Sequence, residues 1–196
     1  MKSAKEASVE LPTTEQIEKE RARLRHKSRY SRTLRSTIAI LVVVAAAAVL
    51  VATLWMAVLR IYGSSMAPTL EDGQIVISLK TTDFKTGDIA AFYYGNKLLI
   101  KRYIAGASDW VYIDEDGTVS VNSIELDEPY IAEKAFGQTN IELPYQVPDK
   151  RYFLMGDNRE SSVDSRNTAV GCASDDQIVG KVVYCIWPLD RFGPVR

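Results

Sequence analysis

Histidine is nearly absent: the 196-residue chain holds one, His26, and it precedes the long apolar run. That scarcity excludes a serine–histidine–aspartate triad beyond the run, and a histidine-rich metal site anywhere. Cysteine is almost as scarce. Cys172 and Cys185 are too few for a disulfide-stapled scaffold, though the two could pair, or each could be a small buried apolar residue. Neither sign of charge dominates: 24 basic against 25 acidic residues leave a net charge of −1, which gives no electrostatic case for nucleic acid. Between Ser36 and Leu59 there is no charge, no glycine and no proline.

That uncharged stretch of about 24 residues is long enough to cross a hydrocarbon core as a helix. Trp55 and Tyr62, near its end, suit a membrane interface. Its apolar core is too extended, and the basic region before it too long, for a cleaved signal peptide. Lys19, Arg21, Arg23, Arg25, Lys27, Arg29, Arg32 and Arg35 crowd in front of the span, which predicts a cytoplasmic N-terminus. The expected organisation is a flexible basic tail over 1–35, a single transmembrane helix over 36–59 and an extracytoplasmic domain over 60–196. Within the tail, Thr14 to Arg25 suits a helix capped by Thr13 or Thr14.

Beyond residue 70 the pattern is that of short strands. Gln74–Leu79 follows the turn Glu71-Asp72-Gly73. Asp88–Tyr94 and Leu98–Ala105 flank Gly95-Asn96, and Val111–Ile113 and Thr118–Val121 flank Asp114–Gly117, two hairpin signals. Residues 124–148, with Pro129, Pro144 and Pro148, suit an irregular excursion. Tyr152–Met155 and Ile178–Trp187 supply two more strands. The fold class expected is mostly β: one N-terminal transmembrane helix, then a strongly coiled, barrel-like β domain.

Three stretches carry chemistry. Ser65 lies in Gly63-Ser64-Ser65-Met66-Ala67-Pro68-Thr69-Leu70, a stiffened loop a few residues outside the span. A serine nucleophile needs a base, and the histidine inventory leaves lysine. Lys101 interrupts an apolar strand after Leu98-Leu99-Ile100. Such a lysine commonly snorkels to water. Burial would instead lower its pKa from about 10.4 and leave a neutral amine able to accept a hydroxyl proton. The third stretch, Gly156-Asp157-Asn158-Arg159-Glu160-Ser161-Ser162-Val163-Asp164-Ser165-Arg166, packs polar and charged groups into one loop. There Asp164 and Arg166 are expected to form an ion pair.

Taken in order behind one anchor, Ser65-Met66-Ala67-Pro68-Thr69, Lys101-Arg102 and Gly156-Asp157-Asn158-Arg159…Ser162-Val163-Asp164-Ser165-Arg166 resemble the bacterial type I signal peptidase family, in its short form of Gram-positive type. The resemblance implies a membrane-anchored Ser/Lys endopeptidase that removes signal peptides from exported preproteins after Ala-x-Ala-type sites. By motif position it makes Ser65 the nucleophile and Lys101 the general base. Ser162 would orient the amine, Asp164 and Arg166 would hold the site together, and Gly156 would leave room beside the lysine. Gly63 stands where some relatives carry a serine that assists the oxyanion hole, so the Ser65 N–H is the main donor expected. Met66, Ile75 and Ile77 are candidate lining for substrate pockets. The partners expected are preproteins and the lipid bilayer, for a monomer with no cofactor, no metal and no nucleic acid.

Overall fold

The computed structural model describes residues 13–195, apart from the side chains of residues 22 and 25–29. The first twelve residues of the expected tail and the side chain of His26 therefore lie outside the described residues. Two compact units divide at Ala52 and Thr53.

The first unit is helical. Helix α1 runs from Thr14 to Trp55 without a glycine or proline, so the part of the tail expected to be flexible is continuous with the apolar helix from Thr14 onward. Its start is set locally. The Thr13 carbonyl accepts the Ile17 N–H at 3.1 Å, and the Thr13 N–H donates to Gln16 Oε1 at 3.0 Å, half of a capping box. The segment Tyr30–Trp55 is long and apolar enough to cross a membrane. Apolar side chains such as Leu41, Val43 and Leu50 are exposed along it. The helix stops at Trp55, short of the expected 59. Its charge-free part is then about 20 residues, about 30 Å at helical rise, which matches a hydrocarbon core.

The second unit is built from twelve strands. In chain order they are β1 Met56–Arg60, β2 Ile75–Leu79, β3 Ile89–Tyr94, β4 Lys97–Ala105, β5 Trp110–Ile113, β6 Val119–Val121, β7 Ile124–Glu125, β8 Tyr145–Gln146, β9 Arg151–Met155, β10 Ala173–Ser174, β11 Ile178–Trp187 and β12 Gly193–Pro194. One sheet has the order β1-β2-β11-β3-β4-β9-β10, with β12 also on β11, and a smaller one the order β7-β6-β5-β8. Every adjacent pair is antiparallel. No closed barrel forms among the described residues, so the architecture is mostly β in open sheets rather than the barrel-like closure expected.

Both hairpins fall where the turn chemistry demands. Tyr94 pairs with Lys97 across Gly95-Asn96, and Gly95 takes a φ of 57°. Between β5 and β6 the Gly117 N–H donates to the Asp114 carbonyl at 2.9 Å, and the Thr118 N–H to the Asp114 carboxylate at 2.8 Å. The residue 124–148 excursion is less irregular than its prolines suggest, because its two ends form β7 and β8.

Met56–Arg60 reads as the tail of an apolar run, yet it pairs with β2 from Met56↔Leu79 to Arg60↔Ile75. Hydropathy alone does not separate the four apolar residues that open this strand from the end of a helix. The two cysteines belong to different hydrophobic clusters, Cys172 with Val111 and Phe153, Cys185 with Val76 and Val182. Both are free thiols, so the pairing left open by the sequence does not form.

Candidate active site

Edge strand β1 leads directly into the serine turn. The Ile61 N–H donates to the Gln74 carbonyl at 2.8 Å, and the Gly73 N–H returns to the Ile61 carbonyl at 3.0 Å. The Gly63 N–H then donates to Asp72 Oδ1 at 2.8 Å, with a φ of 83° that favours glycine over serine. Met66 and Leu70, 2% and 1% exposed, pin the far side of the turn into the core with Ile61 and Val76. Ser65 stays half-buried between these two fixed points. Its carbonyl accepts the Asn158 N–H at 3.1 Å, which ties the turn to the polar loop.

Lys101 sits in the middle of β4, an inner strand flanked by β3 and β9. It is 3% exposed, and its Nζ donates to Ser162 Oγ at 3.0 Å. The snorkelling fate common to strand lysines does not apply. Burial disfavours the ammonium and brings the pKa down from 10.5 to about 8; the nearby Asp164 opposes that shift, while Arg166 adds to it.

Asp164 cannot neutralise the amine as a dedicated partner because it is already engaged. Its carboxylate accepts from Arg166 Nε at 2.9 Å, Arg166 Nη2 at 3.0 Å, the Gly156 N–H at 2.9 Å and Ser162 Oγ at 2.7 Å. Burial pushes its pKa up, but the Arg166 hydrogen bonds and charge outweigh this and hold the carboxyl below the usual range. Ser162 therefore donates to Asp164 and offers its oxygen to the lysine, which fixes the direction of both hydrogen bonds. The Asp164–Arg166 ion pair expected from the sequence is present at 2.9 Å.

Gly156 holds these parts close. A Cβ built there would lie 2.3 Å from Ser162 Oγ and 2.5 Å from the Ser65 carbonyl. The backbone of Ser65 and the hydroxyl that binds Lys101 thus converge on one point, and only a residue without a side chain fits between them.

A second set of charges supports the same turn and has no counterpart in the sequence-based expectations. Arg102, 1% exposed, makes a two-pronged contact with Asp157, Nε to Oδ1 at 2.8 Å and Nη2 to Oδ2 at 2.6 Å. Thr69, in the serine turn, donates to Asp157 Oδ2 at 2.5 Å and accepts from Arg102 Nη2 at 3.2 Å. Tyr130 covers the Arg102 guanidinium with its ring centroid 3.7 Å away and donates its hydroxyl to Glu128 at 2.9 Å. Glu128 is in turn gripped by Arg159 through two hydrogen bonds. A charged pair inside one motif is readable from spacing, but Glu128 and Arg159 are 31 positions apart with no shared period.

The three substrate-pocket candidates divide. Met66 is core packing, buried in the cluster beneath the turn, and is not an open wall. Ile75 and Ile77 are half-buried on one face of β2. That strand is paired on both sides, by β1 and β11, so the free edge of the sheet beside the serine turn is β1.

Comparison with known proteins gives the family of the chain. The family model described as signal peptidase, peptidase S26, matches residues 34–187. Signal peptidase I of Bacillus licheniformis is 34% identical over 142 residues, covering 66% of this chain and 75% of that protein. Signal peptidase IB of Staphylococcus aureus is 36% identical over 152 residues, covering 67% of this chain and 78% of that protein. A crystal structure of a signal peptidase I from Enterococcus faecalis has 26% identity and a TM-score of 0.44, over 51% of this chain and 97% of that chain. A match over most of the chain, with relatives above 30% identity, establishes that this protein belongs to the signal peptidase family of serine peptidases, peptidase S26.

Proposed function

We propose that this chain is a membrane-anchored endopeptidase that cleaves signal peptides from exported preproteins after small residues, with Ser65 as nucleophile and Lys101 as general base. The observation that carries the reading is the buried amine of Lys101. Its pKa near 8 makes a useful fraction neutral at working pH, and its hydrogen bond to Ser162 holds it beside the Ser65 turn.

The neutral amine takes the Ser65 hydroxyl proton as Oγ attacks the scissile carbonyl. The Ser65 N–H stabilises the oxyanion, and Lys101 then protonates the departing amine. A water activated by the same lysine hydrolyses the acyl-enzyme. Ser162, Asp164 and Arg166 keep the amine aimed, and Gly156 permits the approach. A peptide laid in extended form along the β1 edge is delivered to Ser65, because that strand runs into the turn. Small side chains at alternate positions fit such a shallow edge, the Ala-x-Ala pattern. Helix α1 anchors the unit, with the basic residues before the span keeping the N-terminus in the cytoplasm and the peptidase unit outside.

The test is cleavage of a preprotein bearing an Ala-x-Ala site by the detergent-solubilised protein and by Ser65→Ala. The expected result is cleavage at that site, with kcat reduced about 10⁴-fold or more in the variant. Cleavage that survives in Ser65→Ala would remove Ser65 from the role of nucleophile.

A further inference from the structure

A groove of about 380 Å³ is lined in part by the residues that follow the serine in its turn. Its walls are Ala67 and Pro68, which follow the serine, and Ala132 and Ala135 from the excursion between β7 and β8. Asn158, whose N–H holds the Ser65 carbonyl, contributes to its lining. Two exposed carboxylates, Glu133 and Glu160, border the groove. The other charged groups there are buried and engaged: Asp157 with Arg102, and Arg159 with Glu128. Lys134, next to Glu133, is directed to Thr118 and Glu125.

From this we infer that the groove receives the first residues of the mature segment, on the leaving-group side of the scissile bond. Its Glu133 and Glu160 favour basic and disfavour acidic side chains there. The inference rests on the peptidase reading above. A peptide that approaches along β1 must continue past Ser65 after the scissile bond, and the groove is a concave surface lined by Ala67 and Pro68, which follow the serine, and by Asn158, which holds its carbonyl. Its small alanine and proline walls leave space for side chains of varied size, so shape discriminates little and the two uncompensated carboxylates set the preference. The newly formed α-ammonium of the product carries the same sign as the side chains the groove favours.

The test uses full-length protein in detergent with peptides that share one Ala-x-Ala segment and differ only after the scissile bond. Lys, Gln or Glu is placed in turn at each of the first three mature positions, and kcat/KM is compared within each enzyme. The expected ranking is Lys above Gln above Glu at one or more positions, about three- to tenfold from end to end, shrinking as salt is raised. In Glu133→Lys/Glu160→Lys the ranking should flatten or reverse. Both side chains are exposed, so the double variant is expected to fold, and far-ultraviolet circular dichroism checks this. A ranking absent from the unmodified protein, or one that persists in the double variant, overturns the inference. Failure of the unmodified protein to cleave even the Gln peptides would instead overturn the peptidase reading, and the inference with it.

Discussion

Lys101 and Arg102 are consecutive on β4 and almost equally buried, 3% and 1% exposed, yet their surroundings treat the positive charge in opposite ways. Arg102 receives a whole carboxylate. Asp157 meets it through two hydrogen bonds, and an aromatic ring covers its free face. Lys101 receives a neutral hydroxyl from Ser162, and the carboxylate behind that hydroxyl is already bound to Arg166. The same strand therefore carries one cation with a dedicated counter-ion and one cation made easy to discharge. Desolvation alone does not make a lysine a base; desolvation without a dedicated counter-ion does.

The largest effect should come from removing that contrast. Lys101→Arg puts a permanently protonated group where the proposed mechanism needs a proton acceptor. The expected loss is about 10³- to 10⁴-fold in kcat, with the protein still folded. Activity within about tenfold of the unmodified protein would mean that Lys101 is not the base. In the unmodified protein, kcat/KM should rise with pH and level off above about 8, the pKa of the amine.

Breaking the neighbouring pair should act on stability. Asp157→Asn leaves Arg102 charged and buried with a weaker partner, which costs about 3–5 kcal/mol. A chemical denaturation midpoint moved by less than the equivalent of about 1 kcal/mol would refute a structural role for the pair. The comparison sharpens in Arg102→Met/Asp157→Leu. Replacing both charges restores much of the stability, but Thr69 loses its acceptor, so kcat should stay low while KM changes little.

Lys101→Met should do the reverse of Asp157→Asn and stabilise the fold while abolishing activity. The pKa of Lys101 is lower in the folded protein, about 8 against 10.5. Below about pH 8 the folded state holds a buried ammonium that the unfolded chain would keep solvated, a penalty on the order of 3 kcal/mol. Between about pH 8 and 10.5 the unfolded chain binds more protons, so the unmodified protein gains stability as pH rises and the penalty disappears. The advantage of Lys101→Met is thus full at neutral pH and gone above about 10.5. Denaturation at pH 7 and pH 10.5 measures it, and an advantage independent of pH would place its origin elsewhere than the charge.

Which parts of this were legible in the sequence follows the range of the interactions. Ser65, Lys101 and the loop Gly156–Arg166 stand out because each is a local anomaly: a serine in a stiffened loop, a lysine in an apolar strand, a charged loop after a strand. The ion pair between Asp164 and Arg166 is two residues apart and could be expected from spacing. The hairpins at Gly95-Asn96 and Asp114–Gly117 were equally local. Met56–Arg60 was hidden because a strand continuing an apolar helix has no boundary in hydropathy. Arg102 was visible only as part of the Lys101-Arg102 motif, and its pairing with Asp157, 55 positions distant, could not be read from spacing. The placement of Met66 in the core rather than at a pocket, and the open edge at β1, depend on sheet order, which no local pattern encodes.

Tyr130 offers the finest test of how the buried charge of Arg102 is compensated. Its ring lies 3.7 Å from the guanidinium, and its hydroxyl reaches Glu128 at 2.9 Å, so it joins two of the buried ion pairs of the site. Burial, with Glu128 next, pushes its hydroxyl pKa up, and it remains a donor across the working range. Tyr130→Phe keeps the ring and loses the hydrogen bond, a loss of about 1 kcal/mol. Tyr130→Leu loses both, and the ring's attraction for a desolvated cation adds about 1–2 kcal/mol. Thermal unfolding of the two variants side by side isolates the ring, because the missing hydroxyl is common to both. Equal midpoints would mean that the ring contributes nothing and Asp157 alone compensates the burial of Arg102. A lower midpoint for Tyr130→Leu would assign to the excursion between β7 and β8 a share in holding Asp157, and through Thr69 in holding the serine turn.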